Sequence, residues 1–402
     1  MKGYTRRQVR LLIACFVAYT AAYISRTNLS PALDAIQRQF GLTAAQVGLL
    51  PTLFAIPYAA GQVVNGTLAD RFKAQNFILF GLLGSAAINI AFSLARNYAA
   101  LLALWCLNGC AQSMIWTPIV RIMAQDFQDE VRPRAMFFIS MTLIVGYLCA
   151  WALSGLMTSL FTWRAAFRMS GSVTAVLGIG SFLAMRDRAD AAGERARAHA
   201  IVAPAPVGTL VFGTDLFLIL ICCVFNGYVR DSIMNWAPKM LMDAQGIDLS
   251  SVLGVILIIP VVNFLGIQFG KIMYGHLGGD VRRTCAATMA LCAAFSLVLS
   301  LFYQSNTLLC TAMLGACSAM SYALNPLLTS FFPMEYSRLG RVAMAAGLID
   351  AMIYVGSAFS GACAGLLRDL LGWSAVFGSW TLFSLVGTLM VVLAIRKTRT
   401  HL

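Results

Sequence analysis

The sequence predicts an all-α membrane protein, with twelve transmembrane helices in two pseudo-symmetric six-helix bundles. Three observations predict it. The 402 residues are 59% hydrophobic and only 11% charged, whereas an ordinary soluble domain is about 25% charged. The apolar residues come in runs near or above the ~20 residues that a spanning helix needs. Lysines and arginines collect at alternate ends of those runs, as orientation in a bilayer requires.

Taken in order, the runs predict helices near 9–33, 44–68, 76–95, 98–122, 135–160 and 165–185, then near 214–241, 250–274, 283–303, 306–331, 342–367 and 373–395. The first run is too long for a cleavable leader, carries Arg26 and lacks a small-residue cleavage site, so it reads as the first span. With the N-terminus placed in the cytoplasm, twenty-one Lys and Arg residues fall on inside segments and six on outside segments. That bias puts both termini in the cytoplasm. It also explains the net charge of +13 without nucleic acid as a partner. Residues 186–213, rich in Ala, Arg and Pro, read as a cytoplasmic linker. It divides the chain into an N-terminal bundle, 1–185, and a C-terminal bundle, 214–402.

The chemistry of a soluble enzyme is missing. The eleven cysteines are scattered through apolar runs without a CxxC, and read as small buried residues. His199, His276 and His401 all fall in polar loops or the tail, which leaves no histidine for a metal or proton site within the membrane. There is no Walker A loop, so ATP is not expected to drive the protein directly. The expectation is a protein that is not an enzyme and carries no cofactor or metal.

Two arginines stand out. AAYISRTNLS follows LLIACFVAYT without a polar break, which places Arg26 deep in the first span. A charge at a helix centre costs about 2.5–3.5 kcal/mol on insertion scales and usually marks a working site. The seventh span repeats the feature in Gly227-Tyr228-Val229-Arg230. Arg26 lies sixteen residues after Arg10, and Arg230 sixteen after Thr214, which sets both ~24 Å along their helices. A weaker echo pairs Trp163 and Phe167 with Trp373 and Phe377 as WxxxF. Two such repeats place a substrate site near the bilayer midplane. Each guanidinium offers a planar fork of donors that matches phosphate or carboxylate oxygens. The alternative is that each arginine snorkels or pairs with an internal acid such as Asp350.

Gly66-Thr67-Leu68-Ala69-Asp70-Arg71-Phe72-Lys73 resembles the GxLxDRxGRR signature of the major facilitator superfamily. The resemblance implies that Gly66, Asp70 and Arg71 serve conformational gating on the cytoplasmic side. The second-half counterpart, Gly270-Lys271-Ile272-Met273-Tyr274, lacks the acid. Within the superfamily the chain resembles the organophosphate:phosphate antiporters, the glycerol phosphate and hexose phosphate carriers. Tyr23-Ile24-Ser25-Arg26-Thr27-Asn28 is similar to their YxxRxN. Tyr228-Val229-Arg230 followed by Asn235-Trp236-Ala237-Pro238 is similar to their helix 7 arginine and later DWSP. Gly109 to Pro118, then Arg121, is similar to GxxQGxxWPPxxR. The resemblance implies that Arg26 and Arg230 bind the substrate phosphoryl group, with Tyr23 and Tyr228 beside them. Tyr354 falls where the family has a pocket tyrosine, although an interfacial or packing role explains it equally. Gln112 and Trp116, one turn apart, are expected to line the cavity.

Two departures bear on the substrate. Glycerol phosphate carriers place a histidine on helix 5, near 143–144 here, and this chain has no membrane histidine. Asp350 stands on helix 11 where a glycine is usual, four residues before Tyr354 and on the same face. Asp350 is expected to face the central cavity, either as a protonatable switch competing for Arg230 or as an anchor for a substrate amine. Pro118 and Asn325-Pro326 read as helix bends, and Asp215 as an interfacial acid favoured by a helix dipole.

The implied protein is a secondary active transporter of a bacterial inner membrane. It would be a monomer exchanging a small phosphorylated metabolite for inorganic phosphate by alternating access. Two bare guanidiniums in an empty cavity should resist closure, which predicts obligatory exchange. YISRTNLS is also similar to helix 1 of proton-coupled organic-anion symporters, so symport of a sugar acid or carboxylate is the alternative. A membrane sensor of an external sugar phosphate is the second.

Overall fold

The computed structural model describes residues 4–68, 72–128, 131–186, 215–246, 248–335 and 342–399. Among them the chain is helical, with α1 (Arg6–Ile24), α2 (Leu29–Phe40), α3 (Ala44–Leu68), α4 (Ala74–Leu94), α5 (Tyr98–Gln112), α6 (Trp116–Asp126), α7 (Arg132–Ser140), α8 (Thr142–Leu160) and α9 (Trp163–Met185). There follow α10 (Leu216–Gln245), α11 (Leu249–Ile256), α12 (Ile258–His276), α13 (Val281–Phe302), α14 (Thr307–Pro326), a π-helical turn (Leu327–Phe331), α15 (Phe332–Met334), α16 (Val342–Leu371) and α17 (Trp373–Arg399). Twelve helical stretches of the described residues are long and apolar enough to cross a membrane. Gly66 lies in α3, whereas Asp70 and Arg71 of the gating motif fall outside the described residues, as does all but the first residue of the 186–213 linker.

Four spans read as single helices are broken; the fifth, α7 and α8, breaks at Met141 without a proline, and the other three share one pattern. The first, expected over 9–33, is α1, a turn over 25–28, and then α2. The fourth is α5 and α6, and the eighth is α11 and α12. In each case the second piece carries a proline at its third position: Pro31, Pro118 and Pro260. Proline has no N–H to bond the carbonyl four residues back, and its ring clashes with that carbonyl. The carbonyls concerned belong to Thr27, Met114 and Ile256, each in or at the edge of its break. Pro238 is the contrast: α10 runs unbroken past it, packed along α16 and α17.

The chain gathers into two compact units, Met1–Ile36 with Ile56–Pro204 and Gln37–Ala55 with Ala205–Leu402. In the first unit, Leu11, Cys15 and Ala18 of α1 pack with Ile78 and Leu82 of α4 and with Ile119 of α6. In the second, Ile219 and Cys223 of α10 pack with Met289 of α13 and with Ile349 and Ile353 of α16. The WxxxF echo is a packing device used twice. Phe167 stacks on Phe92 at 4.4 Å with Trp163 and Trp105 around it. Phe377 meets Trp380 at 5.2 Å, and Trp373 meets Trp236 at 5.9 Å. Large apolar side chains such as Leu94, Val176, Leu301 and Leu370 remain exposed, as a lipid-facing surface requires.

Within the second unit two close helix approaches position polar groups. At the start of α3, the Asp369 carboxylate accepts from the backbone N–H groups of Ala44 at 3.0 Å and Ala45 at 2.7 Å. It thus supplies an anion to donors that have no partner within the helix. The more consequential approach is between α10 and α16. A Cβ on Gly227 would lie 2.1 Å from the Ile353 carbonyl oxygen, and one on Gly356 only 1.9 Å from that of Val224. Backbones this close set Tyr354 and Ser357 beside Arg230. Gly356→Ala should therefore force α10 and α16 apart, at a cost of about 1–3 kcal/mol. The melting temperature of the protein in detergent should fall, while Gly347→Ala, where a Cβ meets nothing within 4 Å, leaves it in place. Equal melting of the two variants would contradict the close approach.

Candidate functional site

Breaking a helix within a membrane frees backbone groups that no water can satisfy. In the first unit a set of buried side chains takes them over. Gln112 Nε2 donates to the Ala22 carbonyl and to Ser25 Oγ, both at 2.9 Å. Asn89 Nδ2 and Asn108 Nδ2 donate to the Ser25 carbonyl at 2.9 and 3.0 Å. The hydroxyl of Ser154 donates to the Asn28 carbonyl at 2.6 Å, and that of Thr174 to Ala21 at 3.2 Å. Asn28 Nδ2 donates to Asn89 Oδ1, and Ser85 Oγ to Asn108 Oδ1. The turn over 25–28 is thus held rigidly from α4, α5, α8 and α9.

Arg26 sits on that turn. Its guanidinium carbon lies 4.3 Å from the centre of the Tyr23 ring and 5.5 Å from that of Tyr58. Tyr19 meets Tyr23 edge-on at 5.2 Å and lies against Trp116 at 4.8 Å. Tyr147 approaches Tyr23 at 5.5 Å. Tyr23 is fixed from α8, where a Cβ on Gly146 would lie 2.4 Å from its own Cβ. A cation over such rings gains about 0.5–2 kcal/mol. A guanidinium can stack its face on a ring and present its edge to an oxyanion, so a cage of rings and an anion make compatible demands on such a group.

Arg230 is supported differently. Its Nε donates to Asp231 Oδ1 at 2.7 Å, its Nη2 to Asp231 Oδ2 at 3.2 Å and its Nη1 to Asn325 Oδ1 at 3.3 Å. The Ser357 hydroxyl donates to Asp231 Oδ2. Tyr322 and Tyr354 lie within electrostatic reach of the guanidinium. Asn325 stands where α14 gives way at Pro326 to the π-helical turn, and its carbonyl accepts from Thr329 Oγ1 at 2.8 Å. Such turns recur at functional sites.

Several expectations are corrected. The carboxylate paired with Arg230 is Asp231, not Asp350. Asp350 is half-buried, forms no hydrogen bond or ion pair among the described residues, and acts on Arg230 only through its field. Gln112 does not line a cavity: it is 2% exposed and spends its amide on the helix break. Trp116 lies against Tyr19, which meets Tyr23 edge-on, and so extends the aromatic cage. Tyr228 is buried, its hydroxyl 3.1 Å from Ser379 Oγ and its ring edge-on to Phe383. Asp215 makes no cap hydrogen bond to α10 and pairs instead with Arg282 at 2.5 Å. Residues the sequence reading missed are Tyr19, Tyr58 and Tyr147 around Arg26, and Asp231, Asn325 and Ser357 around Arg230. Tyr19, one turn before Tyr23, and Asp231, adjacent to Arg230, carried a signal. Tyr58 and Tyr147 are brought in only by tertiary packing.

Asn89→Ala tests the support of the turn. It strips one donor from the Ser25 carbonyl and the acceptor from Asn28, at a cost of about 1–3 kcal/mol per unsatisfied buried group. The variant should melt several degrees below wild type. Wild-type melting would mean that the network does not hold the break.

The profile described as the Major Facilitator Superfamily matches residues 15–338. The membrane sensor protein UhpC of Escherichia coli (strain K12) is 26% identical over 285 residues, 65% of this chain and 63% of that protein. The match therefore spans less than two thirds of the sensor's length. A glycerol-3-phosphate transporter of Bacillus subtilis (strain 168) is 24% identical over 402 residues, 93% of this chain and 89% of that protein. Among solved structures, a bacterial homolog of the human lysosomal transporter Spinster, inward-facing and occupied, has the same fold. It superimposes over 98% of each chain with a TM-score of 0.78 at 15% identity. A family profile covering most of the chain, on twelve apolar helices, makes this multi-pass membrane protein a member of the Major Facilitator Superfamily.

Proposed function

We propose that the protein is a secondary transporter of a small organic anion, a phosphorylated metabolite, exchanged for inorganic phosphate by alternating access. Both termini lie in the cytoplasm of a bacterial cell, and the working unit is a monomer. The observation that carries the reading is one guanidinium held inside the apolar spans of each unit, Arg26 on a broken helix and Arg230 on an unbroken one. Both are anion-binding groups in this reading, with Tyr23 and Tyr354 as accessory contacts. The glycerol-3-phosphate transporter among the relatives supports a phosphate ester as cargo.

The Arg230–Asp231 pair favours a second reading, proton-linked symport of an organic acid. A guanidinium already neutralised by its neighbour does not resist closure of the empty carrier, which weakens the electrostatic argument for obligatory exchange. Proteoliposomes decide between the two. Phosphate-loaded vesicles should take up labelled glycerol phosphate or hexose phosphate, and unloaded vesicles should not. Arg26→Ala and Arg230→Ala should each slow that uptake by roughly 30-fold or more, the loss expected when a charged partner of an anion is removed. Accumulation into unloaded vesicles under a pH gradient supports symport. Tight binding without flux in any vesicle points to a sensor, as the likeness to UhpC suggests. Uptake undiminished in the double variant would overturn the anion site.

A further inference from the structure

We propose that the protein binds an anionic phospholipid in a groove between α1 and α9, on a face of α1 turned away from Tyr19 and Tyr23. Arg6 and Arg10 take the lipid phosphate, and the apolar groove beyond them takes an acyl chain. The proposal is independent of what the protein transports.

A cavity of about 440 Å³ opens between the two helices, with Arg6, Arg10, Ile13 and Val17 on one wall and Gly180 and Ala184 on the other. The α1 residues recur at i, i+4, i+7 and i+11, the spacing of one helical face. At 3.6 residues per turn, Tyr19 and Tyr23 lie about 130° round the helix from that face. The groove is therefore no arm of the Arg26 site. Small residues on α9 leave the room: a Cβ on Gly180 meets nothing within 4 Å. The groove opens on a lipid-facing surface, since Ile13 is exposed beside it and Val176, Ile179 and Leu183 are exposed on the adjoining face of α9. The hydroxyl of Ser181, also in the wall, is spent on the Leu177 carbonyl at 2.7 Å.

Length and charge select the occupant. From Arg6 to Val17 is ~16 Å at 1.5 Å per residue, about half the ~30 Å hydrocarbon core of a bilayer. Beyond Val17 the same face of α1 closes, with Thr20 and Ile24 buried. The groove thus spans one leaflet, the cytoplasmic one in the orientation proposed above, and both exposed arginines stand at its outer end. They lie ~6 Å apart along the helix axis. Arg7 does not join them, because it pairs with Asp126 at 3.6 Å. Two guanidinium forks match the oxygens of a phosphodiester. A zwitterionic headgroup brings its own cation against them, which favours an anionic lipid, and basic pockets between spanning helices are where such headgroups bind. A soluble phosphate ester gains nothing from the apolar slot, and an apolar chain segment gains nothing from the arginines.

The test is native mass spectrometry of the purified full chain in detergent, titrated with phosphatidylglycerol or with phosphatidylcholine of the same acyl chains. Wild type should retain one phosphatidylglycerol in preference to phosphatidylcholine. Each arginine at an anionic headgroup is worth roughly a fivefold change in affinity, so Arg6→Gln with Arg10→Gln should weaken phosphatidylglycerol binding roughly 25-fold. Phosphatidylcholine binding should stay as it was. Gly180→Leu fills the slot without touching the charges, and should lose the bound phosphatidylglycerol. The exposed arginine pair tests the proposal even if Gly180→Leu does not fold. Equal retention of the two lipids by wild type overturns the proposal, as does a preference that survives the double glutamine variant or a folded Gly180→Leu. Displacement of phosphatidylglycerol by excess inorganic phosphate overturns it too, because the arginines would then form a site for free anions.

Discussion

A guanidinium within an apolar span is the constraint on which the polar architecture of this protein depends. Its ionised form resists neutralisation, so the surroundings must be built for a permanent cation. Around Arg26 they consist of ring faces on a turn whose backbone is satisfied by asparagine, glutamine and serine side chains. Around Arg230 they consist of a carboxylate, an amide and a hydroxyl.

The two supports differ in what they leave for a ligand to do. Aromatic faces attract a cation without carrying a counter-charge, so the ring contacts of Arg26 do not compete with an anion for its charge. A bidentate carboxylate neutralises Arg230 outright, so an anion there is an exchange of partners. The two arginines therefore differ in their electrostatic surroundings. The first half breaks its helix through Pro31 and builds a cage; the second keeps its helix whole and carries its own counter-charge at the next residue.

Much of the fold was legible in the sequence, because span length and the Lys and Arg distribution are imposed by the bilayer and leave a one-dimensional trace. Both arginines were legible for the same reason, as charges where none should stand. The helix breaks were partly legible: Pro31 and Pro260 lie inside the expected helices, but Pro238 shows that a proline does not always interrupt one. What escaped was tertiary. Gln112 has the sequence position of a cavity residue, yet its amide is consumed by the Ala22 carbonyl of another helix. Asp350 sits at a suggestive helical spacing, but the Gly227 and Gly356 approach, with Asp231 next to Arg230, decides which acid reaches the guanidinium.

The central claim is that both arginines serve a bound anion and that Arg230 changes partner to do so. An experimental structure of the full chain with inorganic phosphate bound tests it most directly. Phosphate oxygens should lie at about 2.7–3.2 Å from guanidinium nitrogens of Arg26 or of Arg230, in the second case with Asp231 no longer bidentate to Arg230. Phosphate bound away from both arginines, or bound on Arg230 while the Arg230–Asp231 pair stays intact, would contradict it.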